Sequence, residues 1–159
     1  MEWLESKEQI TARGFAEFRN KTLTLYQSRV RSLAVSTEDN CRFRHPDFSQ
    51  SGNWIGGCDN GLAMGNGYGL IGDDRGALVE YLGESADGLA SGQGAMIVRR
   101  EAPEFFEGAF GQGRPDGVVR VERPGAEPRL RRYRAGQDIG RGEPERWTPL
   151  SFAAAGGAR

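Results

Sequence analysis

The chain has 159 residues, 37% of them hydrophobic and 9% aromatic, which suits one thin core better than a large globule. Its 21 basic and 22 acidic residues nearly cancel, so no whole-molecule field draws it to nucleic acid or to an anionic membrane, and partner choice falls to local surface. No stretch approaches the ~20 apolar residues of a membrane helix, and the 24 glycines, about twice an average share of ~7%, imply many tight turns.

Residues 1–40 read as an amino-terminal helical segment. Leu4, Phe15, Phe18, Leu25, Tyr26, Val30 and Leu33 recur at helical spacings over 3–35, with Gly14 as a weak point. Leu23 to Tyr26 also alternates like a strand, and Ser36 to Asn40 ends the element. Trp3, Phe15 and Phe18 are partner contacts if exposed and core if they fold back.

Residues 41–58 follow as an irregular loop containing Pro46 and Gly52. Cys41 and Cys58 read as a disulfide staple, which would stabilise a small core by roughly 3 kcal/mol through chain entropy. The reading points to a periplasmic or secreted protein, with Met1 standing where a signal or anchor was removed. Two free thiols in the cytoplasm are the alternative.

A repeat fills 54–142. Trp54-Ile-Gly56-Gly-Cys58-Asp-Asn-Gly61-Leu-Ala-Met-Gly65-Asn-Gly67 superimposes without a gap on Tyr81-Leu-Gly83-Glu-Ser-Ala-Asp-Gly88-Leu-Ala-Ser-Gly92-Gln-Gly94, at an offset of 27 residues. A third copy starts at Phe106-Glu-Gly108, 25 residues later, continues through Gly113 and Gly117, and has Val119 in place of its last glycine. A degraded fourth runs through Tyr133, Gly136, Gly140 and Gly142, as terminal copies often do. Each copy predicts a strand with an aromatic knob, a turn at Gly61, Gly88 or Gly113 needing positive φ, and a return strand. Single hairpins are marginal in water, so the copies must stack and bury Trp54, Tyr81, Phe106 and Tyr133. The fold class expected is mainly β: an elongated, twisted sheet of stacked antiparallel hairpins after an amino-terminal helix.

Aromatic-x-Gly followed by Gly and then Gly-x-Gly resembles the MORN repeat, carried here by Trp54-x-Gly56, Tyr81-x-Gly83 and Phe106-Glu-Gly108. The segment from Cys41 to Cys58 leading into the first copy looks like the opening of bacterial MORN-like envelope proteins. The resemblance implies a scaffold that holds proteins or associates with membranes.

Other chemistry is weakly supported. Gly67-Tyr-Gly69-Leu-Ile-Gly72 matches a dinucleotide fingerprint but lacks the strand-to-helix context, and repeat register already explains its glycines. His45 is the one histidine and reads as a loop-packing residue. Cys41, His45 and Cys58 could supply three zinc ligands, but their spacing matches no standard site. Asp73-Asp74 and the carboxylates from Glu101 to Glu107 read as turn and edge charges rather than a glycosidase pair. No catalytic, cofactor or metal residue is therefore assigned.

Arg129, Arg131, Arg132 and Arg134 make a basic run around Tyr133. It is either the solvated face of a strand or a surface for an anionic lipid or ligand. Residues 143–159 read as a cap, with Trp147 and Phe152, and a frayed tail. The function expected is a non-catalytic protein-interaction or scaffold module. The alternatives are a membrane-surface or anionic-ligand module using those arginines, or an accessory domain of an enzyme system.

Overall fold

The computed structural model describes residues 41–73 and 76–148. The helix expected over 3–35 and the tail beyond Thr148 lie outside them. The described chain is one open sheet of nine strands in sequence order. They are β1 (Arg42–Phe43), β2 (Gly52–Asp59), β3 (Leu62–Asp73), β4 (Gly76–Ala86), β5 (Leu89–Arg99), β6 (Pro103–Gly111), β7 (Arg114–Glu122), β8 (Arg129–Arg134) and β9 (Gln137–Arg141). From β2 onward every neighbouring pair is antiparallel. The expectation of a mainly β chain built from hairpins holds at this level.

Four pairs, β2–β3, β4–β5, β6–β7 and β8–β9, are closed by two-residue turns with positive φ at both positions. The turns are Asn60-Gly61, Asp87-Gly88, Gln112-Gly113 and Ala135-Gly136, with the first residue of each at φ 51–55°. This is the turn whose own twist matches the right-handed twist of paired strands. Asparagine and aspartate tolerate the left-handed region best, so Gln112 and Ala135 are held there by hairpin register rather than by preference.

Each of these hairpins also carries a bulge, with the extra residues on its second strand opposite Gly56/Gly57, Gly83/Ser85, Gly108/Phe110 and Arg132/Tyr133. Bulges bend strands. A row of directly paired glycines, Gly56, Gly67, Gly83, Gly94 and Gly108, crosses the sheet at the bend. Aromatic rings lie flat on it: a Cβ on Gly94 would meet the Tyr81 hydroxyl at 2.2 Å, and one on Gly67 would meet the Trp54 ring at 2.5 Å. The Trp54 indole N–H donates to the Gly57 carbonyl at 2.8 Å and the Tyr81 hydroxyl to that of Glu84 at 2.5 Å. The first two hairpins thus solve the bend in the same way.

The bend gives the sheet a groove face and a back face. On the groove face Trp54, Ile71, Val79, Tyr81, Met96, Val98, Phe106, Phe110, Val119 and Val121 form one buried cluster with Phe43. On the back face Tyr68, Leu82, Ala95, Ile97 and Phe105 form a second. Beside it the fully buried Glu122 pairs with Arg120, which also bonds Glu107 at 2.6 Å and lies over the Phe105 ring. After a short 3-10 turn, Pro144–Arg146, the Trp147 indole donates to the Glu107 carbonyl at 2.9 Å, three strands in from the β9 edge.

Candidate functional site

Cys41 and Cys58 are joined, with Cα atoms 5.8 Å apart. Both sulfurs are committed to that bond, so neither is a thiolate ligand for a metal beside His45. The staple anchors a segment that enters the groove. Residues Arg42 to His45 alternate: Phe43 and His45 are buried, Arg42 and Arg44 exposed. Arg42 N–H donates to the Gly61 carbonyl at 2.9 Å and Arg44 N–H to that of Gly88 at 2.7 Å, so the segment steps along the row of hairpin turns. Phe43 stacks between Trp54 and Tyr81, 5.6 Å from each, over a glycine at 69 whose Cβ would lie 2.6 Å from its ring.

The next step is blocked. Pro46 has no N–H to offer the third turn, and its ring packs against Gly113 instead. Phe48 N–H then bonds back to the His45 carbonyl at 3.1 Å. Asp47 closes the segment by bonding Arg100 at 2.5 Å and Arg114 at 2.7 Å. Those arginines come from opposite ends of the hairpin strands: the rows from Gly92 to Arg99 span about seven residues, roughly 23 Å in a flat sheet. A single carboxylate reaches both because the bent strands bring their ends together.

Beyond Asp47 the groove is an open cleft of about 350 Å³. Met96, Val98 and Phe106 form its floor; Arg100, Glu104 and Arg123 line one wall, and Arg114, Gly136 and Asp138 the other, with Tyr133 at the end. The rim is charged but balanced. Arg123 bonds Glu104 at 2.7 Å, and although burial works against its charge, that carboxylate raises its pKa. Asp138 is held below the usual carboxylate value, first by the hydrogen bond from Arg131 and against a smaller desolvation cost. Burial, and then the Asp138 charge, push the Tyr133 hydroxyl up.

His45 is pushed down to about 4, chiefly by burial, with Asp47 opposing and Arg100 and Arg114 reinforcing the shift. Its Nδ1 accepts the Asp47 N–H at 3.0 Å, so the imidazole serves as a neutral acceptor inside the loop.

Trp54, Tyr81 and Phe106 are buried on the groove face, each seven residues before its turn glycine. Tyr133 is buried too, and packs edge-on to Phe106 at 5.9 Å, but it stands three residues before Gly136, the place held by Cys58, Ser85 and Phe110 elsewhere. Arg129 occupies the position seven before.

The arginine run does not form one patch. Arg129 and Arg131 are paired with Val121 and Val119 on the groove face, Arg132 with Val118 on the other. Arg131 bonds Asp138 at 3.0 Å and Arg132 pairs with Glu143, while Arg129 and Arg134 are exposed. The Gly67 to Gly72 fingerprint lies wholly within β3, with no helix amino terminus following it there.

The sequence reading missed Phe43 as a groove-filling aromatic and missed the cleft. The alternation Cys41-Arg-Phe-Arg-His45 was the available signal, since a period of two marks a half-buried extended segment. Comparison with protein-family models finds none that matches, and comparison with curated proteins finds no match either.

Proposed function

We propose that this chain is a non-catalytic protein-interaction module of stacked MORN-like hairpin repeats, working in an oxidising compartment such as a bacterial periplasm or cell surface. The reading is carried by the groove, which is filled over the first hairpins by residues 42–48 and, among the described residues, open beyond them, with an apolar floor and a polar rim. Recurrent turns, bulges and glycine positions support stacked repeats, and the Cys41–Cys58 bond is compatible with an extracellular or periplasmic location. The non-catalytic reading is supported by the one histidine, whose Nδ1 accepts the Asp47 N–H within its own loop, so that among the described residues it is not paired with a nucleophile.

The anionic-surface alternative is weakened by carboxylates already held on Arg131 and Arg132. The test is affinity capture from host extract, using the oxidised chain and its Arg114→Glu variant as paired baits. A protein retained by the first and lost by the second supports the module. Salt-sensitive binding of both baits to phosphatidylglycerol vesicles, with no such protein, would favour the lipid surface instead.

A further inference from the structure

The filled half of the groove shows how this protein binds an extended chain, and the open half repeats the elements of that binding. Arg42 and Arg44 give their N–H groups to the carbonyls of two turn glycines, Gly61 and Gly88, while Phe43 drops between aromatic rings. Among the described residues the equivalent carbonyl of Gly136 accepts no backbone hydrogen bond. Beside it Arg114 packs its Cδ against Gly136 and keeps a partly exposed guanidinium, which bonds Asp47. One main-chain acceptor and one side-chain donor therefore stand together at the cleft wall, above the apolar floor of Met96, Val98 and Phe106.

Resting on the interaction-module reading, we infer that the cleft over β5–β9 binds an extended peptide segment of a partner protein. That segment continues the path of residues 42–45, with an N–H to Gly136, a carbonyl to Arg114 and one large apolar side chain on the floor.

The turn ladder decides against a helix. Arg42 and Arg44 offer N–H groups two residues apart to the Gly61 and Gly88 carbonyls, as an extended chain does, whereas the N–H groups within a helix are already bonded to its own carbonyls. The balanced rim decides against a strongly charged ligand. Arg100 and Arg114 face Asp47, Arg123 faces Glu104, and Asp138 faces Arg131, so a net anion or cation would have to break existing pairs. Continuity favours a chain that lies end to end with Asp47, where the intramolecular segment turns away.

The test is selection of a phage-displayed random dodecapeptide library on the full oxidised chain. Calorimetry of a synthesised winner then follows on four variants: Val98→Phe and Arg114→Glu in the cleft, and Met64→Ser and Ile139→Ser outside it. The expected result is a consensus with one large apolar residue and at least tenfold weaker binding to either cleft variant, with the outer two unchanged. Arg114 is a rim residue, so its variant keeps the test valid if Val98→Phe fails to fold.

Peptides that respond to Met64 or Ile139 and not to the cleft would overturn this site while leaving the interaction module standing. No enrichment would overturn the site, and the capture experiment then decides the module separately. A dimer dispersed by Arg114→Glu would make the occupant a second copy. Methyl contacts from Met96 to Leu150 or Phe152 in the free chain would make it the chain's own end. Either result overturns a partner peptide.

Discussion

The first two hairpins, β2–β5, and the last two, β6–β9, share turns, bulges and bend, yet differ in what fills the bend. Over β2–β5 the rings of Trp54 and Tyr81 rest on glycines, bond bulge carbonyls and clasp Phe43. Over β6–β9 Phe106 has no hydroxyl or N–H to make that bond, Arg129 stands where a fourth ring would, and among the described residues the groove stays open. The contrast teaches that in a thin sheet the covering segment is as much core as the strands. Where none of the described residues lies in the groove, the same architecture leaves a cleft.

The largest effect expected comes from emptying the filled half. Phe43→Ala should cost about 3–5 kcal/mol, because its ring is fully buried between two others. Tyr133→Ala, at the edge of the open cleft, should cost clearly less. Denaturant unfolding of both variants measures the difference, and equal costs would erase the distinction between the halves.

Next is the staple. Reduction, or Cys41→Ser with Cys58→Ser, frees a segment closed across a sequence separation of 17 and should remove about 3 kcal/mol. Amide exchange should then accelerate first at Arg42 and Arg44, whose hydrogen bonds tie the segment to the turns.

Acid should act on the same segment. The folded pKa of His45, about 4, lies below its ordinary 6.5, so the unfolded chain takes up the proton first. This contribution is fully present above pH 6.5 and is lost as pH falls toward 4, up to about 3 kcal/mol in all. Thermal melts across that window, beside His45→Phe, should show the slope vanish in the variant.

The smallest effect belongs to the arginine run. Arg132→Ala should change stability by less than ~1 kcal/mol, since its pair with Glu143 is exposed. A larger loss in the same unfolding assay would give the run a structural weight that its exposure does not suggest.

Much of the fold was legible because glycine positions are set by backbone geometry. Gly61, Gly88, Gly113 and Gly136 mark the turns in sequence, and each has φ between 79° and 88° in the structure. The aromatics at 54 and 81 were readable for a related reason: the glycines at 67 and 94 let their rings lie flat, whereas Phe106 has Val119 at the matching place. Tyr133 was legible as buried but not in its register, because the fourth copy has lost the glycine that would align it.

The cleft was not legible at all. It arises where Pro46 halts a main-chain ladder and Asp47 joins arginines from opposite ends of the strands, and local pattern carries no trace of such distant meetings. The split of Arg131 from Arg132 followed the period of two along β8, but which carboxylate each would find depended on the β9 turn and the Glu143 loop.

The most direct test of a groove half filled and half open is a methyl-resolved NMR titration of the full oxidised chain with a selected peptide. Shifts are expected at Met96 and Val98 and none at Ile71 and Val79, which lie under the chain's own segment. Shifts at Ile71 and Val79 with Met96 and Val98 silent would contradict it.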